Sequence, residues 1–181
     1  MAKKNIVSVG LDLSLTGTGI VVLTNGKLTR KELIRSKPVG DRPTDELQRI
    51  RKIVSDIGGI LSEYDPTVVC IEGLAFMARN TSALVQLAAL NYMIRAIIFD
   101  RAIPFYIVAP TSLKKFITGK GNSDKNVMMM DIYRDYDLQF VEDNQADGFE
   151  LAAVGAALLE TPINKLTVPQ KEVVELIKKQ I

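Results

Sequence analysis

The sequence predicts a mixed α/β domain on a single sheet, and three features of its pattern carry that prediction. Two β-patterned runs flank Asn25-Gly26, a dipeptide typical of a two-residue hairpin turn. Two later apolar runs, Thr67–Ile71 and Phe105–Val108, are set apart by helix-length segments, as crossover-connected strands are. A late stretch rich in Ala and Gly offers the small side chains that let a helix lie close to a sheet. At 181 residues the chain fits one domain, and its 47% hydrophobic content is enough for a real core.

In chain order, Asn5–Leu13 reads as the first strand, Gly19–Thr24 as the second and Lys27–Ser36 as the third. A loop with Pro38, Gly40 and Pro43 follows. Leu47, Ile50, Val54, Ile57, Leu61 and Tyr64 then recur at helical spacing, with Arg49, Arg51 and Lys52 on the opposite face. Gly58-Gly59 weakens that helix near its end. Pro66 precedes the strand Thr67–Ile71, which ends at Glu72-Gly73. A long helix is predicted from about Thr81 to Arg101, and Phe105–Val108 is the last strand. Pro110 opens a helix where its missing N–H costs nothing, and Gly119-Lys120-Gly121 breaks it. Ser123-Asp124 caps the next helix, which runs to about Tyr136. The last core helix begins around Asn144, and Pro162 and Pro169 set off an amphipathic helix over 170–181. This order is that of a ribonuclease-H-like fold: a mixed five-stranded sheet flanked by helices. The expected division is a domain over 1–161 and a C-terminal helical tail over 162–181.

Charge distribution says more than its total. The chain has 23 basic and 21 acidic residues, a net charge of +2. Yet Leu113–Lys125 carries Lys114, Lys115, Lys120 and Lys125 against one acid, Asp124. Such a patch suits a phosphodiester substrate, whose phosphates supply most of the affinity. The lone Cys70 sits in an apolar strand and reads as a buried structural residue, fitting a reducing compartment. The start of the chain shows no signal-peptide apolar region. The apolar stretch Ala83–Phe99 is interrupted by Gln86, Asn91 and Arg95, which argues against a membrane span. The expectation is a soluble cytoplasmic protein.

Acidic residues point to the chemistry. Asp12 interrupts an apolar strand, and a buried carboxylate needs a cation or a donor to offset its cost. Glu72 ends another strand, so its carboxylate emerges at the sheet rim. Asp143 and Asp147 lie four residues apart on one face of a helix start. Capping explains one of these two, but a repelling pair is better explained by a cation. With no His in the chain, a carboxylate set selects a hard cation such as Mg²⁺ over catalytic zinc. Paired Mg²⁺ ions suit in-line displacement at phosphorus. The segment Gly10–Gly19, with Ser14, Thr16 and Thr18, also resembles the phosphate-binding hairpin of actin-like and sugar-kinase ATPases. Those need two such domains, and this chain has room for one.

The chain resembles the RuvC-type Holliday junction resolvases, including their phage-type members. The resemblance rests on Gly10–Gly19, on Ile71-Glu72-Gly73 with Phe76-Met77-Ala78-Arg79-Asn80, on Ala109–Lys125, and on Ala146-Asp147 before the Ala-rich helix. It covers nearly the whole chain up to about Glu160. It implies that Asp12, Glu72 and Asp147 are metal ligands and that Lys114 and Lys125 stand near the scissile phosphate, with Lys125 in a catalytic role. Lys115 and Lys120 would add supporting charge. Phe76 resembles the aromatic residue that meets bases at the junction centre, with Arg79 and Asn80 as further DNA contacts. The bacterial pattern has an acid three residues before the last Asp, where this chain has Asn144. Asp143 resembles the arrangement of phage-type and mitochondrial relatives and is assigned as fourth ligand. The loop from Glu72 to Phe76 is one residue longer than the bacterial spacing, and the C-terminal helix has no counterpart.

Fourteen of the seventeen residues in Ala83–Phe99 are apolar, so this helix needs burial on more than one side. One side can cover the sheet; the other is expected to meet a second copy, and the resemblance implies a homodimer built on the 81–101 helix. The expected activity is Mg²⁺-dependent cleavage of four-way DNA junctions by paired incisions, with two ions per site and Mn²⁺ as a substitute. The alternatives are a broader branched-DNA nuclease acting on forks, flaps and Y-junctions, and a junction-binding protein that does not cut.

Overall fold

The structure, a computed structural model, describes residues 4–74 and 81–180. Its strands are β1 (Val7–Asp12), β2 (Gly17–Thr24), β3 (Lys27–Arg35), β4 (Val68–Glu72) and β5 (Phe105–Val108). Its helices are α1 (Pro43–Tyr64), α2 (Thr81–Asp100), α3 (Pro110–Thr118), α4 (Lys125–Tyr136), α5 (Asp143–Leu158) and α6 (Val168–Lys178). The strands form one five-stranded sheet in the order β3-β2-β1-β4-β5. β1, β2 and β3 pair antiparallel, while β4 and β5 join as parallel strands. The mixed α/β prediction and its element order hold.

The turn between β2 and β3 shows why its sequence was informative. Asn25 and Gly26 both take positive φ, 51° and 73°, the left-handed backbone a type I′ hairpin needs. Alternation along the strands then separates two cores. Val7, Val9, Leu11, Val69 and Ile71 face one side, with residues of α1 and α2. Val21, Leu23 and Cys70 face the other, with residues of α3, α4, α5 and α6.

Two helix starts differ from the sequence reading. Pro43 lies inside α1 rather than in the preceding loop, because at the first helical position proline loses no hydrogen bond. Asp45 reinforces that start by accepting from the Arg42 backbone N–H at 3.3 Å. Gly58 and Gly59 leave α1 unbroken, and it continues to Tyr64, the last residue of the predicted helical spacing. Gly58 is buried, and a Cβ there would come into ordinary contact with Ile97 of α2 and with Arg101 just beyond it. The last helix starts at Val168, where the Gln170 side chain accepts from the Thr167 backbone N–H at 2.9 Å.

α5 crosses the sheet at close range over β1 and β2. A Cβ on Gly10 would run into the Gly148 carbonyl and the Ala152 amide, and one on Gly19 into the Asn144 carbonyl. Ser8 Oγ donates to the Ala152 carbonyl at 2.7 Å in the same seam. The glycines near the start therefore admit the backbone of α5 over β1 and β2. That contact fixes where the first residues of α5 stand against the ends of β1 and β4.

α6 is packed into the same core as the rest of the fold. Val173, Val174 and Ile177 are buried in the cluster beneath α3 and α5. Beyond it, Gln180 accepts from the Ile107 N–H at 3.0 Å and donates to the Ile107 carbonyl at 2.8 Å, covering part of the open edge of β5.

By length and composition, Ser82–Asp100 could cross a membrane. Here α2 buries Leu90, Ile94 and Ile98 against the sheet while Val85, Tyr92 and Phe99 stay exposed, at 66%, 64% and 74%.

Candidate active site

The period of two along a strand decides where the first acids point. Leu11 and Ile71 face the α1/α2 core, so Asp12 and Glu72, each one residue further, face α5. β1 and β4 run parallel with Leu11 opposite Ile71, and extending that register by one residue sets Asp12 beside Glu72. Asp147 comes from α5 above them. The structure thus brings together Asp12, Glu72 and Asp147, which are widely separated along the chain.

Their electrostatics are those of crowded carboxylates. Asp12 is only 7% exposed; burial, then Glu72 and Asp147, push its carboxyl up to about 7. Burial and Asp147 raise Glu72 as well, while a hydrogen bond with Asp12 works in the opposite direction. Such a bond between two carboxyls requires a shared proton. Asp147 is raised by burial, against the pull of Lys125.

Lys125 stands over this group. Its ammonium lies 3.1 Å from Asp147 Oδ2 and 3.4 Å from Asp143 Oδ2. Burial works against its charge, yet Asp147 and Asp143 overcome this and hold its proton more firmly than usual. Lys114, half-buried on α3, is close enough to lower both Glu72 and Asp147. Lys115 reaches instead to Glu172 on α6, at 2.6 Å. Lys120 is exposed in the loop between α3 and α4, where Thr118 Oγ1 donates to its carbonyl at 3.0 Å.

Asp143 and Asn144 divide the roles near the start of α5. Asp143 is largely exposed and faces Lys125, outside the buried group. Asn144 hydrogen-bonds Asp12 through its side chain, favouring the ionised carboxylate. Phe76, Arg79 and Asn80 lie outside the described residues. Thr18 and Ser14 organise the turn below Asp12: Thr18 Oγ1 donates to the Ser14 carbonyl at 2.8 Å and accepts from its N–H at 3.1 Å.

Sequence reasoning missed Glu150. It is fully buried on α5, and neither carboxylate oxygen has a hydrogen-bond partner among the described residues. Burial, then Asp147 and Glu72, hold its carboxyl well above the ordinary range. A signal was available: Glu150 interrupts a helix whose other residues are almost all small or apolar.

The donor set fits a hard cation. Asp12, Glu72 and Asp147 offer carboxylate oxygens alone, and the single thiol, Cys70, is buried and pushed up to about 12. As they stand, no three acidic side chains among the described residues close on a point tightly enough to grip one ion. Lys125 holds Asp147, while Asp12 and Glu72 bond to each other. A divalent cation would compete with both arrangements and relieve the repulsion that raises all three acids.

Comparison with known proteins agrees with this geometry. Residues 8–167 match the family model for crossover junction endodeoxyribonuclease RuvC. Proteins of that name from Pseudarthrobacter chlorophenolicus and Corynebacterium glutamicum are 30% and 31% identical to the chain over 66% and 69% of its length. The matched region spans 62% and 57% of those relatives. The Corynebacterium diphtheriae protein is 30% identical over 69% of the chain and 77% of its own length. Among solved structures, T. thermophilus RuvC in complex with a Holliday junction substrate superposes with a TM-score of 0.72 at 20% identity, over 86% of this chain and 97% of that one. The yeast mitochondrial Holliday junction resolvase Ydc2 superposes with a TM-score of 0.60 at 11% identity, over 96% of this chain and 84% of that one. These two share the fold of the chain. By its sequence and its fold, the chain belongs to the crossover junction endodeoxyribonuclease RuvC family.

Proposed function

We propose that the protein is a metal-dependent, structure-selective endonuclease that resolves four-way DNA junctions by paired incisions from a homodimer. The observation that carries this reading is the convergence of Asp12, Glu72 and Asp147 at one seam of the sheet, roofed by Lys125 and flanked by Lys114. A protein that only bound junctions would gain nothing from burying three mutually repelling carboxylates.

Asp12, Glu72 and Asp147 would hold Mg²⁺, two ions per site, with Asp143 as a further ligand at the rim. When bound, such ions activate water and stabilise the leaving oxygen of an in-line displacement. The protein's own groups do the rest. Asn144 keeps Asp12 oriented and favours its ionised form. Lys125, released from Asp147, neutralises charge on the scissile phosphate, and Lys114 adds a second positive charge. Lys120, on the exposed loop between α3 and α4, and Lys115 extend the basic surface toward the DNA backbone. Phe76, Arg79 and Asn80 complete the DNA contacts in this reading.

The dimer follows from α2. Val85, Ala89, Tyr92, Ala96 and Phe99 recur along its exposed side as an apolar stripe. A face of that kind needs cover, and a second copy supplies it with the same stripe about a two-fold axis. Two active sites so related would cut opposed strands. Incubating the purified chain with synthetic four-way, three-way, fork and linear duplexes, with and without Mg²⁺, tests this. Mg²⁺-dependent, symmetric cutting confined to four-way junctions is expected. Equal cutting of forks and flaps would favour the broader branched-DNA nuclease, and binding without cutting would overturn the enzymatic reading.

A further inference from the structure

Arg49 has the sequence spacing of the polar face of α1, yet it is only 9% exposed. It is the one buried lysine or arginine among the described residues. A buried guanidinium needs partners, and no acid supplies them. Asp45, one turn earlier on α1, is held by Arg42, and no ion pair reaches Arg49 among the described residues. Its donors go instead to two backbone segments. Nη2 donates to the Leu15 carbonyl at 2.5 Å and to the Ser36 carbonyl at 3.4 Å, while Nε donates to Ser36 Oγ at 2.9 Å. Ser36 closes the ring: its Oγ donates to the Leu15 carbonyl at 2.5 Å and its N–H to the Thr16 carbonyl at 3.2 Å. Leu15 and Thr16 belong to the turn between β1 and β2, and Ser36 lies just past β3. That turn begins directly after Asp12, the last residue of β1.

We propose that Arg49 is a positioning residue for cleavage, clamping the β1–β2 turn so that Asp12 keeps its place in the acidic seam. This rests on the nuclease reading above. The ladder between β1 and β2 starts at the pair Asp12–Gly19, so side chains must order the turn beyond it. Thr18 and Ser14 close the turn from within, and Arg49 ties it from outside to α1 and to the end of β3. A planar guanidinium bonded to both segments fixes their separation and angle together, which the single ammonium of a lysine does not. With these donors committed to the turn and to Ser36, Arg49 acts through the backbone that carries Asp12. A displacement of about 1 Å there is enough to slow the chemical step roughly a hundredfold.

The experiment compares single-turnover cleavage of a four-way junction in Mg²⁺ with junction affinity in chelator, at a temperature well below every Tm. The full chain is used as wild type, Arg49→Lys, Arg49→Met and Ile57→Val. Ile57 is 0% exposed on the same helix and belongs to the apolar core, so its variant controls for lost stability alone. Arg49→Met should cut at least about tenfold more slowly, with Arg49→Lys between it and wild type. Both should bind the junction within about twofold of wild type, and Ile57→Val should cut at the wild-type rate despite its lower Tm. Undiminished cutting by folded Arg49→Met would overturn the proposal. A parallel loss of junction affinity would overturn it in favour of direct DNA contact. Equal slowing in Ile57→Val, or loss of the fold in both Arg49 variants, would reduce Arg49 to general support of the domain. A wild-type chain that binds junctions without cutting them would instead sink the nuclease reading beneath it.

Discussion

Lys125 Nζ lies 3.1 Å from Asp147 Oδ2, and this pair ties the basic segment of the molecule to its acidic seam. Lys125 opens α4 and Asp147 sits near the start of α5, so neither element alone presents the arrangement. Asp147 has two claims on it: the ammonium beside it and any cation drawn by Asp12 and Glu72. In the proposed reading, a cation on Asp147 would free Lys125 for a phosphate, and the ion pair would hold the place of the substrate complex.

Replacing Lys125 with Ala is therefore expected to act oppositely on the two ligands. Mn²⁺ affinity without DNA should stay the same or rise, because a competing positive charge is gone. Junction binding should weaken, and the slope of log affinity against log salt should fall by about one unit. Lys114→Ala should change the slope similarly. An unchanged slope with an unchanged cutting rate would return both lysines to ordinary surface charge.

Asp12→Asn, Glu72→Gln and Asp147→Asn should each abolish cleavage while leaving junction binding in place, because each removes a ligand and little contact surface. Asp143→Asn should retain more activity, since that side chain meets Lys125 at the exposed rim. The buried variants should also be more stable than wild type without metal. For Asp12→Asn at pH 8 the gain is on the order of a few kcal/mol, or roughly 5 °C or more in Tm. Thermal unfolding in chelator checks this; a loss of Tm in all three would make these acids structural.

The pH dependence has a definite sign. Asp12 titrates near 7 in the folded chain against an ordinary value of 3.8, so the folded state holds more protons between those limits. Stability is then greatest at the acidic end of that window and is lost as pH rises through about 7. Glu72 and Asp147, raised in the same direction, add to the effect. In chelator, Tm should fall between pH 5 and pH 8, and Mg²⁺ should restore more of it at pH 8. A Tm that rises with pH across this range would refute the crowded-carboxylate account.

Much of this site was legible because strands obey a period of two. Once Leu11 and Ile71 are core residues, Asp12 and Glu72 must share the opposite face, and only register remained for the structure to supply. Glu150 was hidden by the opposite circumstance. α5 is buried on nearly every side, so its pattern shows an acid at 150 but not which face of the helix meets the site. The outward side of α2 was unreadable for the same reason: its residues are apolar all round, and contact with α1 and the sheet selects the buried side.

The C-terminal helix should be indispensable to stability. Ile177 is 2% exposed and lies in the core shared with α3 and α5. Ile177→Ala should cost about 2–4 kcal/mol. A chain ending at Thr161 would leave the underside of α3 and the Ile107 edge of β5 uncovered, so it should melt far lower or fail to fold. Equal Tm for the shortened and full chains would show the tail to be an accessory.

Charge on the exposed side of α2 should separate the two copies without unfolding either. Val85, Tyr92 and Phe99 are spaced at intervals of two helical turns and are 66%, 64% and 74% exposed, so Val85→Glu, Tyr92→Glu and Phe99→Glu place their charge in water in the single chain. In a symmetric dimer each substitution appears twice near the axis, and the like charges repel across a desolvated contact. Folded monomers that bind junctions but nick one strand at a time are expected. Leu90→Glu is the control: Leu90 is 0% exposed against the sheet, and a charge there should unfold the chain. Sedimentation of wild type and variants at micromolar concentration decides the matter. A monomeric wild type that still cuts both strands symmetrically would remove the dimer from the mechanism and leave the apolar stripe of α2 to some other partner.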